Sequence, residues 1–164
     1  MIKVAICDDD IQFIYKLEQS IFRFAEMKRI KVDVDGYTSG AEFIQKLQQS
    51  ERYDLLFLDI ELGDSSGIIV GNWIRSQIQY ESMQIVFVSA KEMYAMQLFD
   101  LRPMNFLVKP IQQERVDYIL DEYERLYQFQ PHIIEIGKGK QNILLSVSHI
   151  LFFICRALPE KFKW

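Results

Sequence analysis

Residues 54–59 read Asp-Leu-Leu-Phe-Leu-Asp, four apolar side chains closed at both ends by an acid. A run this short and this apolar fits a strand buried on both faces of a parallel sheet, where neither side meets water. Ahead of it, Ile2 to Cys7 (IKVAIC) is a similar run that stops at Asp8, Asp9 and Asp10. After it, Met83 to Ser89 (MQIVFVS) and Asn105 to Val108 (NFLV) repeat the pattern, the second stopped by Lys109-Pro110. Lys31 to Tyr37 (KVDVDGY) alternates instead, as a half-exposed edge strand does.

Helical periodicity fills the gaps between these runs. Asp10 is placed to cap a helix whose apolar face is Ile14, Leu17, Ile21 and Phe24 or Ala25. Ser39-Gly40-Ala41-Glu42 has capping-box spacing and opens a helix with Phe43, Ile44 and Leu47 inward. Further helices are expected over Ile68 to Ile78, near Glu92 to Phe99, and from Gln113 to Tyr127. Five βα units in succession predict an α/β fold, a five-stranded doubly wound parallel sheet with helices on both faces.

Composition narrows the class. The chain has 164 residues, 49% apolar and 26% charged, the balance of a globular protein with one domain and room for part of another. Its uncharged apolar runs are far shorter than the roughly 20 residues a membrane helix needs. The opening Met-Ile-Lys-Val-Ala-Ile lacks the basic n-region of a signal peptide. Two cysteines, Cys7 and Cys155, suit a reducing compartment, so a cytoplasmic location without membrane contact is expected. The net charge of −4 is uneven: residues 131–164 hold five basic and two acidic residues, leaving 14 basic and 21 acidic ahead of them. Pro131 marks a boundary. Beyond it Ile133 to Ile136, Ile143 to Val147 and Ile150 to Ile154 read as three short strands, too few to build a core of their own.

Ligands of open parallel sheets bind outside the carboxyl ends of the strands. Those ends carry Asp8 and Asp9, Asp59, Ser89 and Lys109. Converging carboxylates repel by about 4 kcal/mol per pair at about 4 Å near a protein surface, so the set calls for a cation. Oxygen ligands with room for water suit Mg²⁺, and Lys109 adds a point charge for phosphate. A carboxylate in such a site can attack phosphorus to form an aspartyl-phosphate. Other residues have plainer readings: Asp10 as a helix cap, Cys7 as a small buried hydrophobe, and Gly137-Lys138-Gly139-Lys140 as a basic hairpin turn. His132 and His149 lack zinc spacing. No GxGxxG occurs, and Asp59-Ile60-Glu61 lacks the second acid of a haloacid-dehalogenase-type phosphatase.

On these residues the first 125 or so positions resemble the receiver domain of two-component response regulators. The matching motifs are Asp8-Asp9, Asp59, Ser89-Ala90 and Lys109-Pro110. The resemblance implies Asp59 as phosphoacceptor, with Asp8, Asp9, Asp59 and the backbone carbonyl of Glu61 holding Mg²⁺. It implies Ser89 as the switch hydroxyl, Phe106 as the switch aromatic, Lys109 as the phosphoryl contact, and a cis Lys109–Pro110 bond. The partner implied is a sensor histidine kinase. The domain is then no enzyme, but a phosphoacceptor that assists its own phosphoryl transfer and hydrolysis, and it admits homodimerisation on phosphorylation.

The loop Glu61 to Gly67 (ELGDSSG) lacks the proline that many family members carry, which predicts a looser backbone. Ile133 to Phe153 is similar to the opening of a LytTR-type DNA-binding domain. Residues 1–128 are thus expected to be a receiver and residues 131–164 an N-terminal LytTR-like fragment. DNA contact and transcription control are expected through a full-length output domain and not through this truncated piece. A stand-alone signalling adaptor and a flavodoxin-like phosphatase are the alternative readings.

Overall fold

Strand β3 (Leu55–Asp59) is buried at all five positions, and the rest of the fold is arranged to keep it so. The computed structural model describes residues 1–77, 82–128, 133–137 and 142–146. β3 lies in the middle of a five-stranded sheet of order β2-β1-β3-β4-β5, with β1 (Ile2–Cys7), β2 (Val32–Tyr37), β4 (Gln84–Ser89) and β5 (Asn105–Val108). All neighbouring pairs are parallel, and the half-exposed β2 is at one edge. The doubly wound parallel sheet expected from the sequence is the one observed.

Alternation along the strands divides the core into two layers. Ala5, Cys7, Leu56, Leu58, Ile85 and Phe87 pack with Phe43 and Leu47 of α2 (Gly40–Gln48) and Val70 and Ile74 of α3 (Gly67–Gln77). The intervening residues Val4, Ile6, Leu55, Phe57, Val86 and Val88 are equally buried, on the opposite face. The buried stripes of the two remaining helices supply that layer: Ile14, Leu17, Ile21 and Phe24 of α1 (Ile11–Lys28), and Val116, Ile119 and Leu120 of α4 (Gln113–Tyr123). Each such side chain contributes about 1.5–3 kcal/mol when fully buried. The Gln113 side chain donates to the Ser20 carbonyl at 3.0 Å and ties α4 to α1.

The caps follow the sequence. The Asp10 carboxylate accepts from the amides of Gln12 at 2.9 Å and Phe13 at 3.3 Å, and Ser39 Oγ accepts from Glu42 at 3.0 Å. Two helices differ from expectation. Residues Glu92–Leu101 form a 3₁₀ helix, and three residues per turn explains its surface. Met93, Met96 and Phe99 fall on one outward line (70%, 87% and 85% exposed) while Leu98 and Leu101 are buried. The last helix ends at Tyr123, and Glu124–Gln128 follow as a π-helical turn.

Contacts divide the chain into two units, Met1–Leu120 and Asp121–Trp164. In the second, β6 (Ile133–Gly137) pairs antiparallel with β7 (Asn142–Ser146), Ile133 opposite Ser146 and Gly137 opposite Asn142. The third expected strand, the helix end at Ile78, Lys138 to Lys140, His132, His149 and Cys155 lie outside the described residues. Among the described residues no helix is long and apolar enough to cross a membrane.

The α1 cap gives a direct check. Asp10→Ala removes the acceptor for two amides of α1's first turn, and the expected loss is about 1 kcal/mol. It is to be read as a lower urea midpoint at unchanged slope.

Candidate functional site

The strand order makes β1 and β3 neighbours, so the turns after them open side by side where the order reverses. Asp8 follows β1, its amide donating to the Tyr37 carbonyl at 3.0 Å, and its Oδ1 accepts from the Asp10 amide at 3.0 Å. Asp59 ends β3, and the next residue continues the ladder through Ile60 N–H to the Val88 carbonyl at 3.0 Å. Asp8 and Asp59 are 1% and 4% exposed, whereas Asp9 reaches solvent. One carboxylate oxygen from each of the three lies within 4.8 Å of the other two.

Lys109 closes the group from β5. Its amide donates to the Ser89 carbonyl at 2.9 Å, and its Nζ lies 2.6 Å from Asp8 Oδ2 and 3.1 Å from Asp59 Oδ1. The same ammonium sits 4.3 Å from the centre of the Phe13 ring, a cation–π contact. The Lys109–Pro110 peptide bond is cis. The other oxygen of Asp59, Oδ2, accepts from the Glu61 amide at 3.1 Å. The carboxylate is therefore held by a donor on each oxygen.

Electrostatics reflect the crowding. Burial first, then the Asp8 charge, push the Asp59 carboxyl above the ordinary carboxylate range, against the pull of Lys109. Burial opposes the Lys109 charge, but hydrogen bonding to Asp8 and the fields of both carboxylates outweigh it. Its ammonium is held above the free value of 10.5. Burial pushes the Cys7 thiol up, which keeps it neutral inside the core.

Ser89, fully buried at the end of β4, has Oγ accepting from the Lys91 amide at 3.0 Å, which leaves its own proton free to donate. Phe106 stands on β5 opposite Phe87, half-buried against the core. Glu61 is exposed on the loop after Asp59. The structure thus brings Asp8, Asp9, Asp59 and Lys109 into one cluster, with Ser89 and Glu61 on the adjoining turns and Phe106 within the strand that leads to Lys109.

Several contacts around the site went unread in the sequence. Lys91 pairs with the Glu61 carboxylate at 2.5 Å, and Tyr94 Oη donates to the same carboxylate at 3.3 Å. They bridge the turns after β3 and β4. A lysine two residues after Ser89 was the only available signal. The loop that its missing proline predicts to be loose is tied: Glu61 bridges to Ser66, and the Gly67 amide donates to Ile60 at 2.9 Å. A methyl group on Gly67 would lie 2.0 Å from the Asp59 carbonyl oxygen, so only glycine fits there.

The response regulator receiver domain profile matches residues 4–121. The chain belongs to that family. A similar curated relative of this receiver is the sensory transduction protein LytT of Bacillus cereus, 30% identical over 131 residues, covering 79% of this chain and 50% of that protein. The transcriptional regulatory protein YpdB of Escherichia coli is 28% identical over 128 residues, covering 78% and 50%. The chain spans about half the length of the curated relatives it matches. Among solved structures, the response regulatory domain of mrkE from Klebsiella pneumoniae superimposes with a TM-score of 0.67 at 24% identity, covering 78% of this chain and 99% of that one.

The ion pairs of this receiver set its pH response. Because the Lys109 pKa is raised in the folded state, its stabilisation is complete below 10.5 and is lost as pH climbs through the raised value. Lys109→Met leaves two buried carboxylates without their offset and is expected to cost about 2–4 kcal/mol at pH 7. The loss is expected to shrink on acidification, as Asp59 with its raised pKa takes up a proton. Urea unfolding of both proteins from pH 7 down to pH 5 measures it.

Proposed function

We propose that this receiver accepts a phosphoryl group from a sensor histidine kinase on Asp59, with Mg²⁺ held by Asp8, Asp9, Asp59 and the Glu61 carbonyl. The observation that carries the reading is the convergence of three carboxylates, two of them paired with one lysine. The donor set fits the metal: all oxygen, one carboxylate open to water, and two negative charges left over once Lys109 is counted. Bound there, Mg²⁺ would neutralise the oxygens of an incoming phosphoryl group.

The chain's own residues supply the rest. Asp59, oriented by Lys109 and by the Glu61 amide, attacks phosphorus. A P–O bond to its carboxylate forms as the P–N bond to the kinase's phosphohistidine breaks, and the imidazole leaves with the electron pair. Lys109 exchanges part of its contact with Asp8 and Asp59 for a phosphoryl oxygen. The Ser89 hydroxyl donates to another phosphoryl oxygen, and Phe106 turns further inward. The result is a shift in population between two states of the face around β5.

Residues 1–128 are read as the receiver, and residues 131–164 as the opening of a LytTR-like DNA-binding module. The antiparallel pair β6–β7 and the basic surplus of residues 131–164 support the second assignment, as does a relative named as a transcriptional regulator. The output is then control of transcription in the cytoplasm, with phosphorylation favouring a homodimer.

Acetyl phosphate with Mg²⁺ is expected to add the mass of one phosphoryl group to the intact protein and none to Asp59→Asn. Labelling that persists in the variant moves the acceptor elsewhere. Asp9→Ala is expected to weaken Mg²⁺ binding about tenfold or more, measured by calorimetry.

A further inference from the structure

The loop after Asp59 holds a second acid that the site itself does not use. Asp64 reaches the start of α2. Its Oδ1 accepts from the Gly40 amide and its Oδ2 from the Ala41 amide, both at 3.1 Å. These amides belong to the first turn of α2, where backbone donors have no partner within the helix. A carboxylate that takes two of them at once makes charge-assisted bonds at the positive end of the helix.

The packing around this contact is equally close. A methyl group on Gly40 would lie 2.5 Å from Ser65 Oγ, 2.8 Å from Val70 Cγ2 and 3.2 Å from Leu62 Cδ1. Glycine at that position lets the helix start rest directly on the loop. The same loop carries Glu61, whose amide holds Asp59 Oδ2, and Gly67, whose backbone abuts the Asp59 carbonyl. With no proline to stiffen it, the loop is fixed at Glu61–Ser66, at Gly67 and at Asp64.

We propose that Asp64 is a positioning residue: it clamps the loop after Asp59 onto the N-terminus of α2 and so sets where Glu61 stands relative to the phosphoacceptor. The proposal rests on the phosphoacceptor reading for its functional consequence. Asp64 touches neither substrate nor metal in this assignment. It acts through Glu61, whose carbonyl is assigned to Mg²⁺ and whose amide orients Asp59.

The test compares Asp64→Ala, Asp64→Asn and Leu47→Ala, the last a core change two turns along α2 from Gly40. Two quantities are read: Mg²⁺ affinity by calorimetry, and amide hydrogen exchange over residues 60–67. Asp64→Ala is expected to lose about tenfold in Mg²⁺ affinity, as partners that orient metal ligands do, and to exchange faster over this segment. Asp64→Asn keeps one carbonyl acceptor and is expected to fall between it and the wild type. Leu47→Ala is expected to lower the unfolding midpoint while leaving both quantities near wild type. Unchanged exchange in Asp64→Ala overturns the clamp. Equal effects in Leu47→Ala also overturn it, by reducing Asp64 to a contributor to general stability. Failure of the wild type to bind Mg²⁺ sinks the phosphoacceptor reading instead, and exchange alone then decides the clamp.

Discussion

Three carboxylates brought together at the ends of two adjacent strands repel one another, and Lys109 is what offsets them. The constraint begins in the sheet order. With β1 beside β3, the acids that follow each strand have nowhere to go but the same crevice. Near-complete burial of Asp8 and Asp59 removes the water that would otherwise screen them. The rise in the Asp59 pKa is the signature of that tension. This arrangement opposes folding and is held on a core of well-packed aliphatic and aromatic side chains.

That core is divided so that the site need not contribute to it. Strands β1, β3 and β4 send alternate residues to the α2–α3 layer and to the opposite one, and the crevice is reached only at a strand's end or in the turn that follows it. Asp8 follows Cys7 and Lys109 follows Val108, while Asp59 and Ser89 are the terminal residues of their own strands. At Cys7–Asp8 and at Leu58–Asp59 a single step along the chain separates an apolar core side chain from one that carries charge. The ordering of Asp59 adds a local device, since one oxygen is bound by a lysine and the other by the amide two residues on.

The strands, their order of appearance and the acids at their ends were legible because a buried parallel strand has a composition that few other elements share. The helix caps Asp10 and Ser39 were legible for the same local reason. What could not be read was pairing between loops. Lys91 meets Glu61 across 30 residues, and Asp64 meets Ala41 across 23, contacts set by how two turns fold toward each other rather than by any periodicity. The missing proline pointed toward looseness because its replacement lies in a side chain bonding to another element. The 3₁₀ helix was foreseen only as a helix, although its apolar residues at 93, 96 and 99 already repeat every three positions.

That 3₁₀ helix runs for ten residues, well past the three or four at which this geometry is usually abandoned for better-aligned hydrogen bonds. It begins three residues after Ser89, and it holds to the core chiefly through Leu98 and Leu101. Re-forming such a segment as an α-helix exchanges its i→i+3 bonds for better-aligned ones. The stretch of backbone immediately downstream of the buried hydroxyl is thus one whose remodelling into an α-helix replaces hydrogen bonds rather than losing them.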